Sequence, residues 1–265
     1  MSYPLYQVDA FADAVFTGNP AAVMPLDSWL SDDLLQAIAA ENNLSETAFF
    51  VPARNGEADF DLRWFTPAVE IDLCGHATLA SAHVLFEDLG FRGDRIRFSS
   101  RSGILTVVRR GEELVMDFPA RKPADHPYLD PVAEALGGRP AAFAKGVRDL
   151  VAIFDRADDV AALEPDFRAL SRFDHFAVIA TAPGDGNGLD FVCRFFAPRA
   201  GVDEDPVTGS AFTTLIPYWA TRLGRNDLKA RQISRRGGNV SGRFLGDRVE
   251  IGGQARTYLK GEITF

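Results

Sequence analysis

Cysteine is nearly absent from this chain: 265 residues carry two, Cys74 and Cys193. Two cysteines exclude a disulfide framework of the secreted kind, and their spacing matches no paired zinc-ligand pattern, so both are read as reduced thiols. Histidine is equally scarce. His76, His83, His126 and His175 form no HxH or HExxH arrangement, and no metal site is expected. There is no run of eighteen apolar residues and therefore no expected membrane span. The opening MSYPLYQVDAF also lacks a charged segment followed by an apolar one, which points to a cytoplasmic chain. Positive charge is in deficit, with 28 Lys and Arg against 37 Asp and Glu and a net charge of −9, so long-range electrostatics oppose nucleic acid and anionic membrane surfaces. The one basic cluster, Lys229, Arg231, Arg235, Arg236 and Arg243, lacks interleaved aromatics and reads as a solvated face.

What the chain does have is a hydrophobic fraction of 46%, ample for a buried core, and an internal repeat. RWFTPAVEIDLCGHATLASAHVLFEDLG in the first half is echoed by RFFAPRAGVDEDPVTGSAFTTLIPYWATRLG in the second. Each copy holds an Arg-aromatic-Phe-x-Pro segment (Arg63 to Pro67, Arg194 to Pro198), a loop, a Gly-x-Ala and an apolar stretch ending in Leu-Gly. Gly75 and Gly209 are 134 positions apart, about half the chain. The spacing predicts buried helices over Ala77–Leu89 and Ala211–Leu223, stopped by Gly90 and Gly224, with a kink at Pro217. A further helix is predicted over Ser31–Asn42, with Ser31 as its cap. Strand-like runs flank the central helices, among them TAFFV, DLRWF, LVAIF and LDFVCRFF. Prolines 119, 123, 127 and 131 mark the boundary, giving an N-terminal lobe of residues 1–118 and a C-terminal lobe of 119–265, with the last strand free to pair with either.

Both copies place a glycine at the start of a buried helix, where unpaired N–H groups and a partial positive charge suit a carboxylate. Those glycines would equally serve simply to permit tight turns. Chemistry-bearing neighbours favour a site: Cys74-Gly75-His76 at the first helix, and Asp203-Glu204-Asp205 ahead of Gly209-Ser210 at the second. Glu46, in NLSETAFFV, is an acid in apolar company, an environment that raises a carboxyl pKa towards neutrality and suits a general acid and base. It could also be a solvent-facing strand residue or a partner to a capping serine. The GNP turn at Gly18 to Pro20 lacks the lysine of a phosphate loop and reads as a tight turn.

Taken together and in order, FTGNPAAV, NNLSETAFF, RWFTP, LCGHATLA and DPVTGSA resemble the PhzF-like phenazine-biosynthesis family, over essentially the whole chain. The resemblance implies an α+β fold of two similar lobes, each a β-barrel-like sheet around a central helix, as in diaminopimelate epimerase, with the active site between the lobes. It implies a cofactor-independent isomerase and a homodimer acting on a small carboxylate. Glu46, His76 and Asp205 fall on the family's catalytic positions, and Gly75, Gly209 and Ser210 on its substrate-binding ones. Two other readings stay open. One is an amino-acid epimerase using paired thiols, for which Cys74 stands at the first position but Pro206 at the second. The other is a non-catalytic metabolite-binding member.

Overall fold

The computed structural model describes residues 2–54, 56–186 and 188–265, and the chain forms two compact units, Met1–Asp117 with Gly252–Phe265, and Phe118–Ile251. The first unit contains β1 (Ser2–Ala10), β2 (Asn19–Pro25), α1 (Asp32–Asn42), β3 (Glu46–Pro52), β4 (Phe60–Phe65), β5 (Glu70–Ile71), α2 (Gly75–His83), β6 (Arg95–Ser100), β7 (Gly103–Arg110) and β8 (Glu113–Pro119). The second contains β9 (Ala124–His126), α3 (Asp130–Leu136), β10 (Ala142–Lys145), β11 (Leu150–Ile153), α4 (Ala157–Ala161), α5 (Phe167–Leu170), β12 (Val178–Pro183), β13 (Phe191–Phe196), α6 (Gly209–Leu223), β14 (Asp227–Gln232), β15 (Gly238–Phe244) and β16 (Arg248–Gly253). The last strand, β17 (Ala255–Thr264), pairs antiparallel with β1 along its length. The final segment therefore belongs to the first unit, and the second ends at Ile251 rather than at Phe265.

The repeat in the sequence is a repeat of strand pairing. From β1 to β7 the first unit pairs its strands antiparallel, parallel, antiparallel, parallel and antiparallel, through β1/β2, β2/β3, β3/β4, β4/β6 and β6/β7. The second unit runs through the same succession with β10/β11, β11/β12, β12/β13, β13/β14 and β14/β15. A parallel pair needs a crossover, and the crossovers match: α1 bridges β2 and β3 as α4 and α5 bridge β11 and β12, while α2 and α6 bridge the second parallel pair of each unit.

The two central helices are enclosed by their own sheets. In α2 every residue from His76 to Ala82 is buried, and the helix packs on β1, β2, β3 and β17. A helix buried on all sides needs small residues, which the run of Ala, Thr and Ser supplies. The helical path predicted to Leu89 continues, but Val84–Asp88 winds as a π-helix, a switch that apolar spacing does not encode. In α6, Phe212 and Trp219 pack on Phe191 of β13, the Trp219 ring stacking on it at 5.8 Å, and Pro217 sits inside the helix without ending it. Ser31 holds the cap position of α1, yet its side chain makes no capping bond; its carbonyl accepts from Leu34 and Leu35.

The Arg-aromatic-Phe-x-Pro segments have a structural reason. Arg63, on β4, grips Glu70 with Nε at 2.7 Å and a terminal nitrogen at 2.8 Å; Arg194, on β13, grips Glu204 in the same two-pronged way at 2.7 and 3.0 Å. Each guanidinium lies over the phenylalanine two residues on, Phe65 at 5.1 Å and Phe196 at 4.9 Å. Each glutamate stands five residues before the helix glycine. The fork ties the strand to the loop that enters the central helix, fixing where that helix begins in both units.

Candidate active site

Glu46 opens β3, paired in register with Ala21 of β2, and its side chain is only 16% exposed. It points to the start of α2, where its Oε2 comes within 3.0 Å of His76 Nε2. The two atoms are close but not aligned for a hydrogen bond, and among the described residues no other aligned partner reaches either. Catalytic pairs commonly stand this way before substrate arrives. The other ring nitrogen, Nδ1, faces the Cys74 sulfur at 3.4 Å and the Asn19 amide nitrogen at 3.5 Å. Ser45 donates its hydroxyl hydrogen to Asn19 Oδ1 at 3.4 Å. Asn19 is fully buried beside Gly18, so the GNP turn read as a tight turn is also the source of a histidine contact.

Burial pushes the Cys74 thiol above its ordinary pKa, the charge of Glu46 adds to the effect, and His76 opposes it. For His76, burial works against the imidazolium, but Cys74 and Glu46 outweigh it and hold the ring above its usual range. Both directions say that the thiol and the imidazole retain their protons. A carboxylate, a thiol and an imidazole within 4.8 Å of one another form a set that could ligate a divalent ion. The ring, however, lies between the other two and turns a different nitrogen to each, so one ion cannot face all three donors while His76 keeps this position. Cys193 is fully buried in β13 and its thiol is pushed far up by burial, which makes it a core residue and leaves a two-thiol chemistry without its second thiol.

The start of α6 carries the other expected residues. Gly209 is buried and Ser210 half-buried at the first two positions of the helix. Asp205 is committed locally: its carboxylate accepts from the Thr208 hydroxyl, and its backbone carbonyl from Gln232 Nε2 at 2.6 Å. Gln232, fully buried on β14, also accepts from the Thr208 N–H at 2.9 Å and so satisfies one of the free donors of the helix end. Arg148 donates to Ser210 Oγ at 3.0 Å while its guanidinium lies 4.0 Å over the Phe176 ring. This arginine, which also pairs with the Asp149 carboxylate at 3.5 Å, brings a guanidinium to a helix end already suited to an anion. Gln232 and Arg148 had no signal in the sequence beyond residue type, because they meet their partners across 24 and 62 positions of chain. Asn19 lay in the GNP turn that the sequence singled out, without its histidine contact.

Gly75, Cys74, His76 and Glu46 are thus brought together in the first unit, and Asp205, Gly209 and Ser210 in the second. Among the described residues no helix is long and apolar enough to cross a membrane.

Comparison with known proteins agrees with this architecture. The model of the phenazine biosynthesis-like protein family, PhzC–PhzF, matches residues 8–261. An uncharacterized isomerase of Pseudomonas aeruginosa is 51% identical over 263 residues, covering 99% of both chains. The phenazine biosynthesis-like domain-containing protein 1 of Mus musculus is 38% identical over 287 residues, covering both chains completely. Among solved structures, a PhzF family protein of Enterococcus faecalis superposes with a TM-score of 0.96 at 47% identity, over the whole of both chains. A hydroxyproline epimerase of Agrobacterium vitis, at 12% identity and a TM-score of 0.63 over 99% of this chain and 92% of its own, shares the fold. With its duplicated sheet-and-helix units and matches of this extent, the chain belongs to the phenazine biosynthesis-like PhzC–PhzF family.

Proposed function

We propose that this protein is an isomerase that moves a proton between carbons of a small cyclic or amino carboxylate, with Glu46 as the single acid and base. The observation that carries the reading is the buried approach of Glu46 Oε2 to His76 Nε2 at 3.0 Å, a carboxylate and an imidazole with no competing aligned partner among the described residues. Relatives named as isomerases, two of them 51% identical, support the reaction class. Glu46 removes a proton from a carbon activated by the substrate's own unsaturation or carboxylate, and returns it to another carbon of the same molecule. His76 donates to the negative charge that develops. The N-terminus of α6, with Gly209, Ser210 and the Arg148 guanidinium, has the donors and charge that suit a carboxylate. Asp205 keeps that helix entrance in shape through Thr208.

Incubating the protein in deuterium oxide with a panel of cyclic and amino carboxylates, and reading label incorporation by NMR, tests the proposal. A substrate should gain deuterium or show internal transfer, and Glu46→Gln should slow this by about two to four orders of magnitude. Wild-type rates in Glu46→Gln would remove Glu46 from the role.

A further inference from the structure

His76 has two nitrogens with different neighbours, and the neighbours of one decide what the other can do. Nδ1 faces two groups that bring hydrogens: the Asn19 amide nitrogen at 3.5 Å, and the Cys74 sulfur at 3.4 Å. The amide nitrogen is a donor only. Ser45, on Asn19 Oδ1, leaves the amide NH2 turned to the ring. The sulfur carries its hydrogen because burial and the nearby Glu46 charge disfavour the thiolate. A neutral imidazole meeting two donors at Nδ1 keeps a lone pair there and places its single hydrogen on Nε2, the nitrogen that faces Glu46. A doubly protonated ring also carries hydrogen on Nε2, but it sets a further hydrogen at Nδ1 against those two donors, so the arrangement acts on the neutral ring.

We propose that Asn19 and Cys74 are positioning residues that lock His76 as a hydrogen-bond donor at Nε2, so that Glu46 is the only base of the pair. This deepens the proposed function and rests on it: a bare Nε2 at the same place would make His76 a second base and would set two lone-pair acceptors against each other across 3.0 Å. It also gives Cys74 a use that needs neither a free thiolate nor a second thiol. Glu46 and Cys74 are the ionisable groups that face this ring.

Nitrogen-15 NMR of the protein labelled at histidine tests the lock without any substrate, the His76 signals being assigned by their loss in His76→Gln. Where the ring is neutral, up to about pH 9, the His76 Nε2 signal should have the shift of a protonated nitrogen and the Nδ1 signal that of a bare one. Cys74→Ser, which restores an O–H donor, should reproduce the wild-type pattern. The double variant Asn19→Ala, Cys74→Ala should let the tautomer with hydrogen on Nδ1 appear. A bare Nε2 in the wild-type protein, or hydrogen on both ring nitrogens up to about pH 9, overturns the proposal, as does a double variant that folds and shows an unchanged ring. If the double variant does not fold, the wild-type spectrum still decides. Failure of the proposed function would show separately, as label exchange that survives Glu46→Gln.

Discussion

Gly18 should tolerate no side chain, and the size of the penalty follows from its surroundings. Its φ is +67°, the left-handed region, and a Cβ built on it would stand 2.2 Å from the Ala10 carbonyl oxygen and 2.9 Å from the Ala12 Cβ. Two costs add in Gly18→Ala. The conformation itself costs about 1–2 kcal/mol for a residue with a Cβ. The overlap is with backbone, which has no rotamer to move, and overpacking of this kind costs about 1–3 kcal/mol. For a unit of this size, about 3 °C of melting temperature per kcal/mol turns a loss of about 2–5 kcal/mol into a fall of about 6–15 °C. Gly111 is the matched control: it lies in the turn between β7 and β8 of the same unit, has φ +64°, and nothing stands within 4 Å of an added Cβ. Gly111→Ala should therefore show the conformational cost alone. Calorimetry of the two variants separates close approach from backbone strain. A Gly18→Ala transition within about 2 °C of Gly111→Ala would refute the steric half of the argument. The consequence reaches the site, since Gly18 lets the chain fold back against Ala10, where Asn19 pairs with it and turns its amide to His76.

In the second unit, Thr181→Val keeps the shape of a fully buried side chain but removes a hydroxyl that donates to the Val192 carbonyl at 2.8 Å and accepts from Trp219 Nε1 at 3.0 Å; urea unfolding should show a loss of about 2–4 kcal/mol. Arg194→Lys keeps the charge but cannot hold Glu204 with two nitrogens while donating to the Leu163 carbonyl at 2.8 Å, so a similar loss of about 2–4 kcal/mol is expected in the same assay. Burial depresses the pKa of His83, which contacts Thr257 at 3.0 Å; the unfolded chain then takes up more protons, so His83 removes stability as pH falls through the ordinary histidine range near 6.5. His83→Gln should flatten the decline in melting temperature between about pH 7 and about pH 5, and an unchanged slope would count against a buried neutral ring.

The sequence makes the duplication legible because it preserves residues with fixed geometric duties. An arginine that forks a glutamate, and a glycine at a helix start, can be recognised wherever they recur. Strands whose pattern serves only one face are harder. DLKARQ of β14 buries Leu228, Ala230 and Gln232 and exposes Lys229 and Arg231, so its charges read as a solvated basic cluster, which they are, while the strand beneath them goes unnoticed. β17 is mostly exposed and takes its place from pairing with β1 at the other end of the chain, a contact no local pattern announces. At the site, Glu46 and His76 stand out as ionisable groups in apolar surroundings. Asn19, Gln232 and Arg148 do not, since an amide or a guanidinium acquires its role from what the fold sets opposite it.

The two units differ where chemistry is done and agree where backbone is held. Each anchors its helix entrance with an arginine–glutamate fork five residues before the glycine, which leaves the helix ends free to carry different side chains. At α2 the entrance has a thiol and an imidazole that hold their protons next to a carboxylate, all buried or nearly so. At α6 the equivalent entrance has a threonine pinned by Gln232 and a serine under Arg148, a cluster with donors and a positive charge. One end gathers ionisable side chains and the other hydrogen-bond donors. A duplicated helix start would supply the same weak anion site twice; different side chains around the same anchor give one of them the acid and base that the proposed function assigns to it. The anchor explains why such divergence is affordable: the residues that changed are not the ones that fix where each helix begins.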